Sequence, residues 1–115
     1  MSTHAPADPA VHTWDDLVVQ LAALRLERGA PSYGELARRI DLLRAQRGER
    51  HARPGRTTVY DLFRRGRRRL DVVLLLDTVA VLGAGPQELA AWRSACRQVE
   101  QASGRDDRVP AALGV

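Results

Sequence analysis

Residues 72–82, VVLLLDTVAVL, constrain this chain more than any other stretch. They are apolar nearly all round, and a helix of that kind persists in water only when neighbouring elements cover it. Asp71 supplies an N-cap, and Gly83 and Gly85 stop the segment. The run is far too short to cross a bilayer. The chain must therefore carry amphipathic helices able to enclose this one.

The remaining sequence supplies four. Thr13 offers an N-cap with Asp15 and Asp16 in the first turn, followed by Trp14, Leu17, Val18, Leu21 and Leu24 at steps of three and four. Gly29 and Pro31 end that helix. Ser32 with Glu35 makes a capping box for the second, whose inner face is Leu36, Ala37, Ile40 and Leu43. It fades between Arg44 and Arg47, and Gly34 permits close approach of another backbone. Thr57 or Thr58 caps a third helix with Val59, Leu62 and Phe63 inside, ended by Gly66. Pro86 opens the last, with Leu89, Trp92, Cys96 and Val99 as its packing stripe. No segment alternates as a strand would. The expected fold is all-α, a compact five-helix bundle. The domain spans 13–102, with an arm at 1–12, a basic loop at 46–56 and a flexible tail at 103–115.

Several function classes are excluded by what the sequence lacks. The 115 residues suit one domain. A single cysteine rules out an intramolecular disulfide and fits a reducing compartment, and the first dozen residues are not a secretory signal. A cytoplasmic protein with no membrane association is expected. His4, His12 and His51 are scattered and make no zinc-like set. There is no nucleophile elbow, phosphate loop, dinucleotide fingerprint or paired-carboxylate face. The expectation is a non-enzyme with no cofactor, no metal and no evident small-molecule ligand. Trp14 and Trp92 fall on apolar stripes and belong in the core, as does Cys96.

Charge points elsewhere. The 18 basic residues are all arginine, against 14 acids, giving a net charge of +4 and a pI near 10.5. Arginine presents planar paired donors suited to phosphates and guanine edges. Between Arg38 and Arg69 stand twelve arginines and three acids, Asp41, Glu49 and Asp61. A run like this is often only a solvated face. Here it collects around the third helix, its entry loop and its exit, the footprint expected of a polyanion-binding surface.

The segments SYGELARRI, TTVYDLFRRGRRRL and DVVLLLDTVAVLG resemble the second, third and fourth helices of Cro and phage-repressor helix-turn-helix domains, the XRE family. The resemblance covers roughly residues 13 to 100. It implies a lambda-repressor-like fold, with Ala37 as the small residue beneath the third helix. It departs from the family in Tyr33, where glutamine is common, and in an insertion of about a dozen residues between the second and third helices, where the family has a tight turn. Surface insertions of that size cost little.

The resemblance implies sequence-specific binding of double-stranded DNA by a transcriptional regulator, with the third helix (about 57–65) in the major groove. Thr57, Thr58, Tyr60, Asp61 and Arg64 would then read bases. Ser32, Tyr33, Arg56, Arg65, Arg67, Arg68 and Arg69 would hold phosphates. Arg47, Arg50 and Arg53 in the loop would follow phosphates or enter a minor groove, or else form a linker that contacts nothing. Repressors of this shape bind paired half-sites about 34–36 Å apart as dimers, so a homodimer or a partner protein is a further expectation. The alternative is a non-catalytic protein-interaction module, adaptor or antitoxin-like, offering its basic face to an acidic partner.

Overall fold

In the computed structural model, which describes residues 13–49, 54–64, 66 and 70–113 and side chains as far as residue 102, the apolar segment is α4 (Val72–Val81). Around it stand α1 (Trp14–Glu27), α2 (Tyr33–Gln46), α3 (Arg56–Leu62) and α5 (Pro86–Leu113). No strand occurs among the described residues, and the fold is all-α. Asp71 caps α4 by accepting from the Leu74 amide at 3.1 Å. Leu74, Leu75 and Val79 are buried, and the Thr78 hydroxyl donates to the Leu74 carbonyl at 2.8 Å, which satisfies it inside the core.

The enclosure of α4 is not the uniform one its sequence suggests. Val73 remains 64 % exposed while Asp77 is buried at 3 %. A carboxylate tolerates such a site only when paired. Arg44 Nε donates to Asp77 Oδ2 at 2.9 Å and Arg47 Nη1 to Oδ1 at 2.7 Å. The C-terminal half of α2 is thereby clamped onto α4.

α1 buries Trp14, Leu17, Val18, Leu21 and Leu24, with Trp92, Cys96 and Val99 of α5 in the same core. The reciprocal capping box lies at Thr13 and Asp16. At Ser32 only one half forms: its hydroxyl accepts from the Glu35 amide, while the Glu35 carboxylate turns to Arg38 and Arg39. Arg28 joins three elements, donating to the Leu82 carbonyl at 2.9 Å and to Glu88 at 3.1 Å. Gly83, at φ +98°, adopts the left-handed turn this approach requires, and a Cβ there would stand 3.0 Å from Arg28 Nη1. α5 continues past residue 102, the expected end of the domain, to Leu113. Extending a helix costs far less than starting one, so the packed stem carries the ladder onward.

The connection between α2 and α3 follows from where α3 sits. α2 has 14 residues, a length of about 21 Å. α3 lies against its first turn: Tyr33 packs on Tyr60 and Phe63, and the Arg56 side chain passes over Gly34. The chain leaving Gln46 must return along the whole of α2, which a tight turn cannot do; residues 47–55 have an extended reach of roughly 30 Å. Gly48, at φ +75°, begins the return. Its amide donates to the Ala45 carbonyl and the Glu49 amide to the Arg44 carbonyl, closing α2 with left-handed capping geometry. The expected close backbone approach at Gly34 is instead made by an arginine side chain.

Candidate nucleic-acid interface

α3 is held from one side only. Val59 and Leu62 are buried, and Phe63, just past its end, is half-buried; Arg56, Thr57, Thr58 and Tyr60 are exposed and Asp61 is intermediate. The spacing of three and four that anchors the helix leaves its hydroxyl and cationic residues outward.

Its bounds differ from those expected. The N-cap is Gly55, without a side-chain cap, so neither Thr57 nor Thr58 caps; both are exposed first-turn residues. The helix closes at Leu62, well before Gly66, because the Phe63 amide bonds to the Tyr60 carbonyl and the Arg64 amide to that of Asp61. Such bonds to the third residue back tighten and end a helix. Arg64 consequently stands beyond α3, its Nη1 3.3 Å from Asp61 Oδ1. Gly66, at φ +86°, turns the chain and its amide donates to Asp15 of α1 at 2.8 Å.

Arg47, one of the expected loop contacts, also has a structural task. Its hydrogen bond to Asp77 raises its pKa above the usual arginine value. Arg38 and Arg39 likewise converge on Glu35, and their hydrogen bonds pull that carboxyl down to about 2. The twelve arginines between 38 and 69 thus overstate the surface field, because Arg38, Arg39, Arg44, Arg47 and Arg64 all have acidic partners. Arg50, Arg53, Arg65, Arg67, Arg68 and Arg69 lie outside the described residues.

Two clefts flank α3 with opposite character. One, of about 320 Å³, is lined by Tyr33, Arg56, Thr57 and Tyr60. Tyr33 and Tyr60 meet there edge to face, with centroids 5.2 Å apart and planes at 74°. Arg25, which sequence patterning gave no role, backs this corner: its guanidinium lies 4.6 Å from the Tyr33 centroid while its Nε donates to the Pro31 carbonyl. Ser32 is exposed beside Tyr33; its oxygen accepts from Glu35, and the hydroxyl proton stays available to an anion. The other cleft, of about 160 Å³, is lined by Thr58, Asp61, Leu62, Leu70, Asp71 and Leu74. There Asp61 is paired with Arg64 and Asp71 caps α4, whereas the first cleft sets a cation beside two aromatic rings, a lining an anion can approach.

No protein-family model, curated protein or solved structure matches this chain. Among the described residues no group of histidines, cysteines and carboxylates could hold a metal ion, and no helix is long and apolar enough to cross a membrane.

Proposed function

We propose that this chain binds double-stranded DNA through the face formed by α3 and the first turn of α2, as a sequence-specific regulator of transcription. The observation that carries the reading is the one-sided seating of α3: Val59 and Leu62 hold it from within while Arg56, Thr57, Thr58 and Tyr60 remain exposed. Despite the long connection between them, the start of α3 lies beside the start of α2. Ser32 and Tyr33 at the start of α2 and Arg56 at the start of α3 are close enough to grip one stretch of backbone. Thr57, Thr58 and Tyr60 then face the base edges. Asp61 orients Arg64, whose guanidinium remains largely exposed and takes a guanine at the edge of the site.

The test is duplex binding by the full chain across a salt series. A DNA-binding protein loses affinity log-linearly, with a slope of about −0.9 for each phosphate neutralised, through counterion release. Sites recovered from a random duplex pool should share a sequence, and Arg64→Ala should relax that preference by about 1–3 kcal/mol at one position. Failure to bind any duplex at low salt would remove this reading and leave a basic face directed at an acidic protein.

A further inference from the structure

The cleft between Tyr33 and Tyr60 gives the face proposed to meet DNA a concave site as well as an outward edge. Its volume of about 320 Å³ is at the lower end for small-ligand pockets, which run from roughly 300 to 1,000 Å³. Two aromatic rings nearly at right angles make a corner in which a flat group can lie on one ring and meet the other. Arg56 and Thr57 at the rim add a cation and a hydroxyl from the adjoining turn of α3. Tyr33 is fixed in place: Phe63 packs on it at 5.4 Å and the Arg25 guanidinium lies over its ring. Tyr60 is different. It touches Tyr33 edge to face yet remains 46 % exposed.

We propose that this corner is a seat for a single unstacked nucleobase, one displaced from or unpaired within the bound nucleic acid. The chemistry matches on each count. A base has a polarisable face to stack on tyrosine, polar edges for the Thr57 hydroxyl, and a phosphate one bond path away for the Arg56 guanidinium. The Arg56 side chain runs beside Gly34, its Cδ 3.7 Å from where a Cβ would be, so the arginine lies along the start of α2 beside the cleft. The inference rests on nucleic-acid binding at this face and adds that the preferred target carries an extrahelical or single-stranded base.

The experiment compares three probes at low salt: a flush duplex of random sequence, the same duplex with one bulged 2-aminopurine, and the corresponding single strand. The full chain should bind the bulged duplex about tenfold or more tighter than the flush one, the range that stacking one base on an aromatic ring supplies. Fluorescence of the bulged base should be quenched on binding. In Tyr60→Leu, which keeps an apolar side chain but removes the stacking face, the ratio of bulged to flush affinity should fall towards one and quenching should disappear. Its circular dichroism melt checks that the fold survives. Equal affinity for bulged and flush duplex in the wild type would overturn the base seat while leaving duplex binding in place. Binding of the single strand alone would support the seat and remove the duplex reading. No binding to any probe would remove both.

Discussion

Replacing Asp77 by asparagine isolates the one charged group that, among the described residues, the core accepts. Asp77 receives Arg44 Nε at 2.9 Å and Arg47 Nη1 at 2.7 Å, and its side chain is 5 % exposed. The substitution keeps the shape but removes the charge, and sets an amide N–H₂ against a guanidinium. A charge-assisted hydrogen bond contributes about 1.5–3 kcal/mol. The Arg44 interaction, with that side chain only 13 % exposed, should count in full. The Arg47 side chain is 43 % exposed, so solvent screening reduces its share to below about 1 kcal/mol. The expected loss is therefore about 3 kcal/mol, at the low end for breaking a buried ion pair by removing one partner. Against a typical total stability of about 5–15 kcal/mol this is large, and it corresponds to a fall in Tm of roughly 10 °C for a chain of this size. Urea and thermal unfolding followed by circular dichroism would measure it. Arg44→Ala should cost nearly as much and Arg47→Ala much less. A loss below about 1 kcal/mol for Asp77→Asn, or equal losses for the two arginines, would refute the clamp.

Other outcomes follow from single contacts. Burial raises the Cys96 thiol to about 11, so iodoacetamide at neutral pH should leave it unmodified in the native protein and label it rapidly in denaturant. Glu35, held down to about 2 by Arg38 and Arg39, contributes stability that is complete above its ordinary value of 4.5 and drains away as pH falls towards 2. In Arg38→Ala a carboxyl NMR titration should show Glu35 moving back towards 4.5; an unchanged titration would disprove the pairing. Gly48→Ala places a side chain at φ +75° and should cost about 1 kcal/mol by chemical denaturation. Leu62→Ala, emptying a site only 3 % exposed, should cost about 2–5 kcal/mol and release α3.

Most of the scaffold was legible because its signals are local. Thr13, Ser32, Asp71 and Pro86 each mark a helix start within a few residues of where it occurs. The stripe Trp14, Leu17, Val18, Leu21 and Leu24 is buried as its spacing requires. The candidate site was legible in part: the outward residues of α3 follow from its inward ones. Its ends did not. Gly55 caps by backbone conformation, and the closure at Leu62 depends on hydrogen bonds that no residue type signals. Asp77 was a visible clue, the lone charge in an apolar run, yet nothing local names its partners.

By itself, then, the sequence determined that five helices form, which face of each is apolar, and that arginine gathers near the third. These depend on interactions spanning one or two turns. The tertiary structure decided which charges remain for a partner. It spent Arg44 and Arg47 on Asp77, seated Tyr33 and Tyr60 in one corner under Arg25, and returned the chain along α2 so that two helix starts adjoin. Apart from Arg25 over Tyr33, those outcomes couple residues roughly thirty positions apart, and only packing brings such residues within reach of one another.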